Sequence, residues 1–204
     1  MKRVYLVLPV LAILGFVAGC AQPPTAEVDA AKSAVEAARK AEAEKYAASE
    51  FSSLETSIQE IDSELKTQQG KFPLFRNYDQ AKQKSQETTA KAESVKTLAQ
   101  ENKAKAKAAA EAALNDANAA VAAASQALAN APKGKDTRAD IEQLKSDLAG
   151  AQAQVEGVQS AIAREDFSAS TERASAIKSS ADNVKAQVDA AIEKAMSKKK
   201  GRRK

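Results

Sequence analysis

The stretch from Asn77 to Ala131, NYDQAKQKSQETTAKAESVKTLAQENKAKAKAAAEAALNDANAAVAAASQALANA, decides the fold. It holds roughly 55 residues without a glycine or proline, and at 1.5 Å per residue it predicts a helix about 80 Å long. Asn77 is a good helix cap, with Gln80 three positions on. One stripe runs through Tyr78, Ala81, Ser85, Thr88, Ala92, Val95 and Ala99, and resumes at Leu114, Ala117, Val121, Ala124 and Leu128. Between them, ENKAKAKAAAEAA has no large apolar residue and reads as a helical bridge between two packed regions.

Working outward, the chain gives two shorter helices on each side. A first helix over about 26–48 carries Val28, Ala31, Val35 and Ala38, with Thr25 as its expected cap. A second, over about 50–69, carries Phe51, Leu54, Ile58, Ile61 and Leu65 at spacings of three and four, a seam of coiled-coil type. Gly70 and Pro73 in QGKFPLFRN end it. After the turn APKGKDT, a helix over about 137–163 carries Ile141, Leu144, Leu148, Ala151, Val155, Val158 and Ile162, weakened by Gly150 and Gly157. A short break at REDF precedes a last helix over about 168–197, with Ala174, Ile177, Ala181, Val184, Val188 and Ala191.

The two halves are alike. VDAAKSAV (28–35) matches LNDANAAV (114–121), NYD (77–79) matches DFS (166–168), and ESVK (93–96) matches DNVK (182–185). The expected fold is all-α: an elongated helical bundle or coiled coil of two tandem three-helix units, 26–105 and 106–197, sharing one long central helix. That connectivity resembles the arrangement of spectrin-like arrays. It predicts a rod with the N-terminal segment and the basic C-terminal segment at opposite poles.

Composition agrees with a thin core. Aromatics are 4% of the chain and tryptophan is absent, while alanine, the best helix former, is abundant. Alanine buries little area, and each buried CH2 is worth only about 0.8 kcal/mol. Tyr46, Phe51, Phe72, Phe75, Tyr78 and Phe167 fall near helix ends. They read as plugs of an Ala-thin bundle in preference to a partner-binding patch.

The net charge of +4 is unevenly spread. Lys2 and Arg3 lie at the start and six cations lie in KKKGRRK (198–204), so residues 20–197 are mildly acidic, with 27 carboxylates. The high isoelectric point belongs to the ends, which weakens a nucleic-acid reading.

Chemistry is sparse. The absence of histidine removes the commonest general base and metal ligand. The single Cys20 supports neither a zinc cluster nor thiol catalysis. Phosphate-binding glycine motifs do not occur. Glu36–Lys40 and Glu101–Lys105 read as exposed helix pairs. Glu165 and Asp166 read as turn and cap residues before cation ligands, and Ser52 and Ser53 as helix-start residues. No catalytic residue, metal site or cofactor is assigned, and an enzyme is not expected.

The strongest functional signal is MKRVYLVLPVLAILGFVAGC (1–20). Lys2 and Arg3 are followed by an apolar run, Val4 to Ala18, of about 15 residues, short of the roughly 20 that span a bilayer. VAGC, with Val17, Ala18 and Gly19 before Cys20, resembles the lipobox of bacterial lipoproteins. The resemblance implies that a signal peptidase recognises these residues and removes 1–19. It also implies that Cys20 carries acyl chains and that residues 20–25 tether the body to a membrane. Two or more chains give stable anchoring. Ala21 after Cys20, where the sorting pattern would place Asp for retention, implies the outer membrane, facing the periplasm, over the inner membrane. Residues 26–100 further resemble a family of Ala- and Glu-rich helical bacterial envelope proteins, many of them lipoproteins, with no assigned activity. Tyr46–Phe51 and NYDQA carry that likeness.

The expected function is therefore a lipid-anchored cell-envelope structural protein, a spacer or tether between outer membrane and cell wall or another envelope surface. The alternative is a helical adaptor docking to a membrane protein assembly. Lys198, Lys199, Lys200, Arg202, Arg203 and Lys204 form an electrostatic tail, read as solvated and flexible, either a solubilising charged end or a binding device for an anionic wall polymer or lipid. The closing RRK resembles the end of small helical outer-membrane lipoproteins linked to peptidoglycan through their last lysine, which implies Lys204 as an attachment point. A protein partner or self-association stays open, and nucleic acid is not an expected partner.

Overall fold

The computed structural model describes residues 22–131 and 138–201, with only the backbone path for 198–201. Among these residues the regular structure is entirely helical. Two units meet between Lys103 and Ala104. The helices are α1 (Thr25–Lys40), the single turn α2 (Ala43–Tyr46), α3 (Ala48–Gln69), α4 (Asp79–Ala129), α5 (Arg138–Ala153), α6 (Val155–Ala163) and α7 (Phe167–Gly201). A 3-10 turn, Pro73–Phe75, lies between α3 and α4.

α4 is the long helix that the uninterrupted stretch predicts: 51 residues, about 75 Å at 1.5 Å each. It contributes its first part to unit one and its second to unit two, so the units have no separate linker. The Asn77 side-chain carbonyl accepts the Asp79 N–H at 2.7 Å, as a capping residue should.

In unit one, α1, α3 and α4 close over Val28, Ala31, Val35, Ala38, Phe51, Leu54, Ile61, Ala81, Ala92, Val95 and Ala99, all buried. Ala31, Ala38, Ala81, Ala92 and Ala99 are completely buried. Small side chains at the seam allow backbones to approach closely, and dispersion between dense neighbours adds to a modest apolar area. In unit two, Ala117, Val121, Ala124 and Leu128 of α4 pack with Ile141, Leu144, Leu148 and Ala151 of α5, Val158 of α6, and Ala174, Ile177, Ala181, Val184 and Val188 of α7.

The duplication is visible in burial. On the third helix of each unit, Tyr78, Ala81, Ser85, Thr88, Ala92, Val95 and Ala99 correspond one for one with Phe167, Ser170, Ala174, Ile177, Ala181, Val184 and Val188, 89 positions later, and all fourteen are buried. On the first helix, Ala31, Ala34, Val35 and Ala38 correspond with Ala117, Ala120, Val121 and Ala124. On the second, Phe51, Leu54, Ile61 and Gln68 correspond with Ile141, Leu144, Ala151 and Val158.

The helix boundaries depart from the sequence expectation in four places. α1 stops at Lys40 instead of continuing to 48. Glu42 takes a left-handed conformation, with φ of 60°. Tertiary contacts hold it there: Lys103 Nζ donates to the Glu42 carboxylate at 2.5 Å, Asn102 Nδ2 donates to the Tyr46 carbonyl at 2.8 Å, and Ala43 is fully buried. Thr25 does not cap α1; Pro24 occupies the cap position and accepts the Val28 N–H at 3.0 Å. Gln154 interrupts the expected 137–163 helix, its N–H bonding to Ala151 three residues back and so tightening one turn between Gly150 and Gly157. α7 continues to Gly201, past the expected end at 197, because the lysine-rich run is itself a good helix former.

Candidate functional site

Three regions bear on function: the segment before α1, the turns at the ends of unit one, and the cationic run after α7. Cys20 and the preceding Val17, Ala18 and Gly19 lie outside the described residues, as do Arg202, Arg203 and Lys204. Lys198, Lys199 and Lys200 belong to α7 by backbone, and their side chains are outside the description. The described chain starts at Gln22 and is helical from Thr25.

Of the six aromatic residues near helix ends, Tyr46 is half-buried against the unit-one core, and the other five separate into two kinds. Phe51, Tyr78 and Phe167 are buried plugs at helix ends, as expected. Phe51 also lies under the Arg39 guanidinium, 5.3 Å from the ring centroid, and Arg39 pairs with Glu55 at 2.9 Å and Glu44 at 3.3 Å. This cluster fixes the α1–α3 turn. Phe72 and Phe75 are not plugs. With Leu74 they are 66%, 75% and 60% exposed. Their ring centroids lie 6.3 Å apart, with the planes inclined by 49°.

The exposed loop is nonetheless tied down. Arg76 donates to the carbonyls of Gln69 at 2.9 Å and Lys71 at 3.0 Å. The Gln68 side-chain oxygen accepts the Asn77 N–H at 3.0 Å, and the Gln68 amide donates to Glu64. The Phe75 N–H bonds to the Phe72 carbonyl at 2.9 Å. The sequence signal for this loop is the apolar FPLF between Lys71 and Arg76. It follows Gly70, and although Phe72 and Phe75 continue the three-and-four spacing of the α3 seam, Gly70 and Pro73 interrupt the helix that would carry them into the core.

No family model, curated protein or solved structure matches the chain. Among the described residues, no cluster of three or more His, Cys, Asp or Glu side chains is placed to hold a metal ion. Glu165 has a φ of 60° and the Asp166 carbonyl accepts the Ser170 N–H at 3.0 Å, so the pair builds the α6–α7 turn.

Two shallow grooves lie among the described residues. One, of about 230 Å³, is lined by Glu60, Ser63, Glu64, Gln80, Ala81 and Lys84, where Lys84 pairs with Glu60. The other, of about 380 Å³, includes Asp147, Gln154, Asn183 and Gln187. Both are polar seams between neighbouring helices. Neither brings an activated nucleophile or a shifted general base to an apolar pocket, the pattern expected of a small-molecule site.

The charged side chains are mostly engaged along or across helices. Glu36 faces Arg39 at 3.8 Å, one position short of the expected Lys40. On α7, Lys178–Asp182 and Lys185–Asp189 pair at 2.7 Å each, and these hydrogen bonds hold both ammonium groups above the ordinary lysine range. At the start of α1, the Glu27 backbone N–H, and after it the Lys82 ammonium at 3.2 Å, hold the Glu27 carboxyl below its ordinary range. No helix among the described residues is long and apolar enough to cross a membrane.

Proposed function

We propose that this chain is a lipid-anchored structural protein of the bacterial envelope, a spacer or tether held in the outer membrane through acyl chains on Cys20 and facing the periplasm. The observation that supports it most is positional: VAGC ends an export-type apolar segment, and helical structure starts at Thr25, five residues later. A short tether leading directly into an alanine-rich helical repeat suits a stalk. The polar grooves of the bundle offer little to a substrate. In this reading the cationic run 198–204 meets an anionic wall polymer or lipid headgroups, each cation near such a surface contributing about 1 kcal/mol.

The test is mass spectrometry of the protein purified from a bacterial host. The expected N-terminal peptide starts at Cys20 and carries diacylglycerol, with or without an amide-linked acyl chain. A chain that retains Met1, or an unmodified Cys20 thiol, overturns the proposal. Deleting 198–204 tests the tether itself: cosedimentation with purified cell wall should be lost, and should weaken with salt in the intact chain. Salt-resistant, stoichiometric capture of one protein would favour the adaptor.

A further inference from the structure

The exposed loop of unit one and the proposed anchor lie at the same end of that unit. α1 starts, α3 finishes and α4 starts there, as the Glu27–Lys82 pair, the Lys32–Asp62 pair at 2.8 Å and the Glu60–Lys84 pair require. The five residues from Cys20 to Thr25 span at most about 18 Å when fully extended. A leaflet holding the acyl chains is therefore within short reach of Phe72, Leu74 and Phe75.

The three-helix architecture does not demand this loop. The equivalent residues of unit two form the last turn of α6, where Ala161 is buried and Ile162 packs on the core. In unit one, Gly70 and Pro73 unwind that turn, and Phe72, the counterpart of Ile162, is turned outward. Arg76 and Gln68 then hold the unwound segment in one shape. The apolar tip carries its own cations, Lys71 and Arg76, on either side. Of the carboxylates at this end, Glu27 is engaged by Lys82, Glu60 by Lys84 and Glu64 by the Gln68 amide, while Asp29 and Asp79 are exposed. Aromatic and aliphatic side chains between cations match a bilayer interface, apolar below and anionic at the headgroups.

We infer that Phe72, Leu74 and Phe75 form a wedge that inserts into the interfacial region of the same leaflet that holds the Cys20 acyl chains. This rests on the lipid-anchor reading above. The wedge supplies a second attachment point, which fixes the orientation of unit one on the membrane where acyl chains alone leave it free to pivot.

The chain has no tryptophan, so Phe75→Trp provides a single fluorescent reporter at an exposed site that tolerates the larger ring. The full processed protein carrying Phe75→Trp is reconstituted on vesicles of phosphatidylethanolamine and phosphatidylglycerol and recovered by flotation. The expected result is emission shifted to shorter wavelength and quenched by phospholipids brominated on the acyl chain. Ser49→Trp, exposed at the opposite end of unit one, should keep water-like emission on the same vesicles. Flotation with water-like emission from Trp at position 75 overturns the wedge and leaves the anchor standing. Failure to float, with unmodified Cys20 by mass, overturns both.

Discussion

Tyr78 and Phe167 occupy the same place in the two units, 89 residues apart, each buried at the start of the third helix. They differ by one hydroxyl. The Tyr78 hydroxyl is buried and finds no hydrogen-bond partner among the described residues, whereas Phe167 has none to satisfy. A buried polar group without a partner costs about 1–3 kcal/mol relative to its solvated state. Tyr78→Phe is therefore expected to stabilise unit one by about 1 kcal/mol, read as a higher denaturant midpoint with an unchanged slope.

Gln68 is the polar member of an otherwise apolar seam; its counterpart in unit two is Val158. It closes the Phe72–Phe75 loop onto α3 through the Asn77 N–H. Gln68→Val should keep the helices packed and cost about 1 kcal/mol through the lost hydrogen bonds. The more sensitive readout is limited chymotrypsin digestion, where cleavage after Phe75 should accelerate while the Phe72–Pro73 bond resists and the rest of the chain stays protected.

Glu165 sits at φ of 60° where the second unit turns from α6 to α7, a left-handed position that disfavours any residue with a Cβ. Glu165→Gly should raise stability by up to about 1 kcal/mol, since the native angle costs glycine nothing. A lower midpoint would mean that the glutamate side chain contributes more than its backbone angle costs.

Glu27 gives a pH dependence of definite sign. Its carboxyl is held below the ordinary value of 4.5 by its own backbone N–H and by Lys82. A lowered carboxyl stabilises the folded state fully above the ordinary range, and loses that contribution as pH falls through the lowered value. Thermal midpoints of the native protein and Glu27→Gln should therefore differ at neutral pH and converge in acid.

What the sequence made legible follows from which forces are local. The long helix α4, the seams through Leu54 and Leu144, and the duplication all rest on spacing and on the placement of Gly and Pro, and these carried through to the fold. The turn at Ala41–Ala47 did not, because it lies in a run of good helix formers with neither residue. Lys103 and Asn102, some sixty positions downstream, hold Glu42 and Tyr46 in place, and no local pattern encodes them. The mirror-image error concerns Phe72 and Phe75. Aromatic residues near a helix end usually plug a core, and only the unwinding at Gly70 and Pro73 turns these two outward. The reading of Cys20 and of 198–204 rests on composition and position alone, and their side chains lie outside the described residues.

Duplicated units on one unbroken helix also set a folding hazard. Each short helix has a near-copy that matches the same apolar spacing, so α1 or α3 of one molecule can pair with the α4 of another and yield swapped or chained assemblies. The residues that distinguish the copies, Phe51 against Ile141 and Gln68 against Val158, thereby act as address labels. Making the two units more alike at these positions should raise the yield of entangled oligomers even where it makes each unit more stable.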